Sequence, residues 1–428
     1  MLFPTPPRDP AQGSPPMILR ALCLCLCILL MPLPALAQSR AAVEAQFQSW
    51  LTTTLWPQAR RAGIARATFD SAFRGVTLDW SLPDLSPPGG PKVPQQQRQS
   101  EFGAPARYFT RGTLDSATSI GRQMARQHAT ALARAEARTG VPARIILAIW
   151  GRESSYGRAA IPENAFRTLG TLAFMGRRDA YFRDEVIAAL KIAQAGHAPA
   201  GAMKSSRAGA LGQPQFMPSN FLKYATDGNG DGRADIWRSE ADTIASIAAY
   251  LAKHGWQKGR DWGFEVTLPA TLSCALEGPD QGRRIRDWAA LGVTRTSGRP
   301  FPQPEANEDG FLMLPAGRHG PAFLVTRNFY VLKDYNMSDL YALFVGHVGD
   351  RIQYGSGDFR TDWDTLGRMN RSDIAVMQRS LQAMGHDTGG ADGLPGFRTR
   401  RSIGRWQEAT GRTATCFPTA SLVKALAK

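Results

Sequence analysis

Acid is what this chain has too little of: 36 Asp and Glu stand against 51 Lys and Arg, a formal charge of +15 over 428 residues. Such a surface favours polyanionic partners, whether nucleic acid, anionic lipid or an acidic polymer, and charge alone does not choose among them. The chain also lacks any Lys/Arg block of the kind that forms a nucleic-acid arm, so no nucleic-acid partner is expected. Cysteine is scarce, and none of the five residues has zinc-site spacing. Cys23, Cys25 and Cys27 lie in one N-terminal apolar run, which leaves Cys274 and Cys416. An oxidising compartment would allow those two to pair. They fall in different expected domains, however, and two free thiols is the competing reading. No long tandem repeat is present.

Long apolar runs are missing as well. The stretch from Ala21 to Met31 is too short to span a bilayer comfortably. With Arg20 before it and Ala35-Leu36-Ala37 after it, the run reads as a cleavable export signal over residues 1–37. The Pro-rich stretch before Met17 is unlike a signal start, which makes Met17 a candidate initiator. No lipoprotein cleavage context is convincing, so a periplasmic protein with no transmembrane segment in its mature chain is expected.

What is present is ordinary globular material, 43% hydrophobic and 20% charged, enough for two or three compact units. Residues 38–74 read as helical, and residues 81–98 are a Pro/Gly-rich crossing. Residues 117–252 are mostly helical, with Ile120, Met124 and Leu132 on one face of one helix. Short apolar runs between Gly/Pro turns over 264–327 predict a small strand-containing insertion. Residues 335–351 return to helix, 355–364 form a polar break, and 374–427 form a last helical unit. The fold class is mainly α (α+β), with boundaries at 1–37, 38–362 and 363–428.

The segment Val141-Pro-Ala-Arg-Ile-Ile-Leu-Ala-Ile-Trp-Gly-Arg-Glu-Ser-Ser-Tyr-Gly157 carries the chemistry. Pro142 suits a first helical turn, and the apolar run from Ile145 to Trp150 predicts a buried helix. Glu153 follows Ile149 by four residues and Ile146 by seven, so it shares their face. Desolvation there raises a carboxyl pKa and keeps the proton that a general acid needs. Gly157 is the expected helix end. The competing reading is a structural carboxylate held by an arginine such as Arg152. The small-residue loop from Ser206 to Ser219 adds Ser206 and Gln215, neutral hydrogen-bonding groups suited to sugar hydroxyls or an acetamide.

With these segments in view, the chain resembles lytic murein transglycosylases of the membrane-bound lytic transglycosylase B type. The resemblance rests on Ala148-Ile-Trp-Gly-Arg-Glu-Ser-Ser-Tyr-Gly157, Thr168–Phe174 with Arg177–Phe182, Ala208-Gly-Ala-Leu-Gly-Gln-Pro-Gln-Phe-Met-Pro-Ser219, Ala248–Trp256 and Gly320–Ala342. These occur in order over about residues 38–351. The resemblance implies a lysozyme-like helical catalytic domain. It also implies that Glu153 acts as acid and then base on the bond between N-acetylmuramic acid and N-acetylglucosamine of peptidoglycan, leaving a 1,6-anhydro end. Such chemistry consumes no water and needs no second catalytic carboxylate, in contrast to ordinary glycosidases. Glu163 is the spare carboxylate should a pair be used. Ser206, Gln215, Tyr181, Tyr250, Tyr335, Asn336 and Tyr341 are implied to line the glycan groove. Ordinary core packing is the competing reading for the tyrosines.

Asp227-Gly-Asn229-Gly-Asp231-Gly232-Arg233-Ala-Asp235 fits the start of an EF-hand calcium loop. Side-chain oxygens of Asp227, Asn229 and Asp231 and the Arg233 carbonyl are the candidate ligands of a structural, non-catalytic Ca2+. Arg238 stands at the twelfth position, where glutamate is usual, and the family resemblance points to Asp242 as closing ligand, with Glu240 second. A plain Asx/Gly turn without an ion is the alternative. The C-terminal stretch from Ile374, with Asp392-Gly393, Gly396 and Trp406-Gln407, resembles the three-helix peptidoglycan-binding domain of wall hydrolases; its role would be tethering. Trp406 is expected to pack a core. A water-using muramidase and a non-catalytic peptidoglycan-binding protein are the remaining functional readings.

Overall fold

The computed structural model describes residues 39–90, 105–367 and 369–426. The candidate export signal at 1–37, its three cysteines, and residues 91–98 of the Pro/Gly-rich crossing lie outside the described residues.

Helices dominate the first two thirds of the chain. In order they are α1 (Arg40–Trp50), α2 (Trp56–Arg61), α3 (Arg66–Phe73), α4 (Arg111–Gln127), α5 (Ala129–Thr139), α6 (Ala143–Ser154), α7 (Ala165–Met175), α8 (Asp179–Gln194), α9 (Pro218–Tyr224) and α10 (Glu240–Lys253). A π-helical turn, Leu51–Leu55, joins α1 to α2. The centre of this body is α6. Every side chain from Ile145 to Trp150 is at most 1% exposed, so the helix is wrapped by α4, α5, α10 and the later helix Asp339–Tyr354. A helix apolar on all sides can survive only in such a position.

Two expected helices prove to be broken. Ile120 and Met124 belong to α4 but Leu132 to α5, because the chain leaves helical geometry at His128 (φ −112°). The stretch expected as one helix over 335–351 is the end of α13 (Arg327–Asn336) and the start of α14 (Asp339–Tyr354). Met337 takes the left-handed conformation (φ 53°) between them, and the Ser338 hydroxyl caps α14 by accepting from the Tyr341 N–H at 3.1 Å.

The insertion contains a five-stranded sheet in the order β4-β6-β7-β3-β5, with every neighbour antiparallel. Its strands are β3 (Gly263–Thr267), β4 (Arg283–Arg284), β5 (Thr294–Arg295), β6 (Asp309–Met313) and β7 (Ala322–Val325), with short helices α11 (Ile285–Ala290) and α12 (Gln303–Ala306) between them. A two-stranded pair, β1 (Glu163–Asn164) with β2 (Lys204–Ser205), lies within the helical body. One face of the large sheet joins the main helical core through Phe311, Met313, Phe323 and Val325. The other builds a separate core with Phe264, Leu312, Leu324 and Trp288.

The last unit has three helices, α15 (Arg371–Ala383), α16 (Phe397–Ala409) and α17 (Ala420–Leu426), around Ile374, Met377, Leu381, Ile403 and Leu422, with Trp406 packed against them. This unit is not loosely strung. Cys416 sits in the sheet core and forms a disulfide with Cys274, 142 residues earlier. Around that bond Arg400 meets Glu277 at 2.5 Å, both buried, and Arg401 pairs with Asp280. Closing so long a loop stabilises the fold by about 4–5 kcal/mol in the chain-entropy view. Of the two readings open for these cysteines, the paired one is observed.

Candidate active site

The acid helix ends abruptly. Three successive residues, Ser155 (φ 50°), Tyr156 (φ 60°) and Gly157 (φ 76°), are left-handed, so the helix stops at Ser154, three residues before the expected Gly157. Two of them carry side chains, which costs roughly 1 kcal/mol or more each. Local bonds offset that cost: Ser155 N–H to Gly151 O at 2.9 Å and Gly157 N–H to Ser154 Oγ at 3.0 Å. Tyr156 is buried against Trp150, ring centroids 5.3 Å apart. Its phenol lies where a Cβ on residue 151 would sit, only 2.6 Å from the ring, so glycine is required there. The outcome is that Glu153 stands at a helix end that turns sharply away and leaves its carboxyl at a partly exposed edge.

Behind Glu153 is a wall of tyrosines. Tyr341, on the first turn of α14, donates its hydroxyl to Glu153 Oε1 at 2.6 Å. Tyr335 lies parallel to Tyr341, with ring centroids 6.3 Å apart, and donates to the Pro214 carbonyl at 2.8 Å. Tyr250 packs on Tyr335 at 4.7 Å and donates to the Asp334 carbonyl at 2.9 Å. Burial pushes the Tyr341 and Tyr335 phenols well above their ordinary range, helped by the Glu153 charge. Tyr341 therefore keeps its proton and remains a donor.

Burial also raises the Glu153 carboxyl to about 7, against the lowering effects of the Tyr341 hydrogen bond and the Arg152 charge. Arg152 does not pair with it. Its guanidinium lies over Tyr108 at 4.7 Å and Phe344 at 5.1 Å, and among the described residues Glu153 makes no ion pair within 4 Å. With Oε1 accepting from Tyr341, Oε2 is the oxygen left to carry a proton when the carboxyl is neutral.

The small-residue loop folds against this helix. Leu211 and Phe216 exchange main-chain bonds at 2.6 and 3.1 Å, and the Phe216 ring meets both Tyr250 and Tyr335. Gln215 is left-handed (φ 54°), and its amide donates to Gly212 O at 2.9 Å. Ser206 opens the loop, its hydroxyl accepting from Ala210 N–H at 3.2 Å. Gln213 is the residue that sequence reasoning missed. Its Oε1 accepts from Trp150 Nε1 at 2.8 Å, tying loop to acid helix, and its Nε2 donates to Trp237 O at 3.3 Å. A fully buried Trp N–H needs an acceptor, and that requirement was the available signal.

Direct contacts thus join Glu153, Tyr341, Tyr335 and Tyr250, with Gln215 beside Pro214. Tyr250 and Tyr341 are buried, Tyr335, Ser206 and Gln215 are half-buried, and Asn336 is exposed next to Tyr335. Tyr181 is exposed on α8, stacked under Arg178 rather than bonded to this group. Glu163 sits on β1 opposite Ser205, and no bond links it to Glu153 among the described residues.

In the Asp227 loop, the Asp227 carboxylate accepts from Gly230 and Gly232 N–H at 2.6 and 2.8 Å, bonds that hold it below its usual range. Asn229 and Asp231 accept from Asp231 and Arg233 N–H, both at 2.9 Å. The donors are all oxygen, which suits a hard cation. Asp242 is fully buried, and its oxygens accept main-chain N–H bonds from Gly228, Asn229 and Asp235. It braces the start of the loop against its end. Among the described residues no group of three or more His, Cys, Asp or Glu side chains converges as a metal cluster.

A helical body thus presents one half-buried carboxyl, Glu153, raised by burial to about 7 and bonded by Tyr341. The family described as Transglycosylase SLT domain matches residues 46–350. Membrane-bound lytic murein transglycosylase B of Escherichia coli K12 is 31% identical over 286 residues, covering 66% of this chain and 74% of that protein. SltB3 of Pseudomonas aeruginosa, solved in complex with NAG-anhNAM-pentapeptide, superposes with a TM-score of 0.78 at 38% identity, covering 89% of this chain and 99% of that one. Escherichia coli Slt35, solved in complex with calcium, gives a TM-score of 0.51 at 31% identity over 60% of this chain and 80% of that one.

The chain belongs to the transglycosylase SLT domain family. It has the lysozyme-like fold and is a peptidoglycan lytic transglycosylase, a lyase.

A raised carboxyl pKa has a consequence for stability. Between its ordinary 4.5 and about 7 the folded state binds more protons at Glu153 than the unfolded state, so stability falls as pH rises through that window. Glu153→Gln removes this penalty. The stability gap between variant and parent should widen in the variant's favour by about 3 kcal/mol between pH 4.5 and roughly pH 8, measured by denaturant unfolding. A pH-independent gap would contradict the assignment.

Proposed function

We propose that Glu153 carries out both proton transfers of a non-hydrolytic cleavage. Its Oε2 proton goes to the oxygen between N-acetylmuramic acid and N-acetylglucosamine as that bond breaks. The carboxylate so formed takes the proton from the muramoyl C6 hydroxyl, whose oxygen bonds to C1 and closes a 1,6-anhydro ring. The observation that carries this reading is that Tyr341 and Arg152 are the groups acting on Glu153, with no second carboxylate among them. A water-using pair would need one. The anhydro sugar named in the SltB3 complex is in keeping with it.

Ser206, Gln215, Tyr335 and Asn336 supply hydroxyl, amide and aromatic groups for the sugars, with Tyr181 further out along the groove. Tyr250 and Tyr341 act from behind, as buried support. Residues 363–428 form the peptidoglycan-binding domain, residues 38–362 the catalytic domain, and residues 1–37 an export signal that delivers the enzyme to the periplasm. No helix among the described residues is long and apolar enough to cross a membrane.

Glu153→Gln should fold and lose at least about a thousandfold of muropeptide release from purified sacculi. The parent's products should be lighter by one water than reducing-end muropeptides in mass spectra. Retained turnover in the variant, or reducing ends in the parent digest, would overturn the reading.

The Asp227 loop takes a structural Ca2+ through Asp227, Asn229, Asp231 and the Arg233 carbonyl, with Asp242 closing the loop. The oxygen-only donor set and the calcium in Slt35 support this. A chelator should lower the melting temperature and leave the products unchanged. An unshifted melting curve would mean that the loop is an Asx/Gly turn without an ion.

A further inference from the structure

The C-terminal unit reaches back to the corner that aims Tyr341. Arg400, on α16 and 3% exposed, places Nε and Nη2 on the Glu277 carboxylate and Nη1 on the Pro395 carbonyl at 2.9 Å. Its Nη2 also lies 3.7 Å from Asp339 Oδ2. Asp339 is the first residue of α14, and its other oxygen is 2.7 Å from Lys333 Nζ on α13. One carboxylate therefore sits between a cation of α13 and a cation of the C-terminal unit. Lys333 precedes Tyr335 by two residues and Asp339 precedes Tyr341 by two, so this knot governs both tyrosines behind Glu153. The same corner is held from the other side by Tyr250, which donates to the Asp334 carbonyl at 2.9 Å, while Met337, between the helices, is 73% exposed.

We propose that Arg400 and Asp339 are positioning residues for the acid, and that the docked C-terminal unit fixes through them the helix corner that directs Tyr341 at Glu153. The unit thus does more than tether substrate; it completes the catalytic body. Three further links make the docking firm: the Cys274–Cys416 disulfide, the Asp280–Arg401 pair, and a bond from Ser273 to Glu408 at 2.5 Å. Buried charges of this kind are little screened by salt, so the link persists at physiological ionic strength. Asp339 also places negative charge at the positive end of α14, which favours the helix start in this position.

This inference rests on Glu153 being the acid, and its chemical consequence follows from the hydrogen bond. Tyr341 donating to Glu153 favours the charged form. If the corner loosens, that bond weakens, the carboxyl rises further, and the carboxylate needed for the second proton transfer loses its orientation. The ionisable groups around Glu153 are Arg152 on its own helix, Tyr341 on α14 and Tyr335 on α13. His128 meets the far side of Trp150, and Arg144 with Asp350 and Asp261 lies at the other end of α6. Neither group is touched by the substitutions below.

Two variants separate the roles. Asp339→Asn leaves the Glu277–Arg400 pair intact. Glu277→Gln with Arg400→Met removes both buried charges together and keeps an acceptor for the Leu314 N–H, which now bonds Glu277 at 2.9 Å. Steady-state kinetics on a short soluble glycan fragment, too small to require wall tethering, should show kcat falling about tenfold in each with KM nearly unchanged. The high-pH limb should move upward by about half a unit, and Asp339→Glu should restore much of the rate. Parent-like kcat and pH profile, or a change confined to KM on intact sacculi, would overturn the coupling. Glu153→Gln in the same assay keeps the two claims apart: its inactivity upholds the acid whatever Asp339→Asn does, and its activity removes the acid itself.

Discussion

The desolvation of one carboxyl group, Glu153, is the constraint that the surrounding residues answer to. Glu153 sits near the end of a helix buried from Ile145 to Trp150, and its pKa of about 7 comes first from desolvation. Holding it there costs stability, through a raised pKa and through side chains forced into left-handed geometry at Ser155 and Tyr156. The surrounding structure carries that cost. Tyr156 packs on Trp150, Gln213 satisfies the Trp150 indole, and the tyrosine wall fixes which oxygen of the acid bears the proton.

The sheet insertion and the C-terminal unit take their meaning from the same constraint. A tether alone needs neither a disulfide across 142 residues nor a buried ion pair beside it. Removing two charges from water is expensive and is repaid only with good geometry. Here the arginine finds Glu277 on the insertion and Asp339 at the head of the helix that carries Tyr341. The three parts of the chain meet at Arg400.

Much of this was legible in the residues. Glu153 stood out because an ionisable residue on the apolar face of a buried helix has few reasons to be there. The strand-containing insertion showed in its short apolar runs between turns. Other features were silent for physical reasons. The breaks at His128 and Met337 fall at residue types that helices tolerate, so only tertiary packing reveals them. Cys416 belongs by chain position to the last helical unit and by packing to the sheet core, a long-range fact that local pattern cannot hold. Gln213 lies in a Gly-rich loop without periodicity, and nothing marked it above Gln215 two residues on. Nothing in the sequence marks Tyr250 and Tyr341 as buried, which they are.

The most direct measurement is a carbon-13 NMR titration of the Glu153 carboxyl, assigned by comparison with Glu153→Gln. A single ionisation near 7 is the expected result. A midpoint near the ordinary 4.5 would mean that the group is a solvated carboxylate at neutral pH, and the proton on which the whole arrangement depends would not be there.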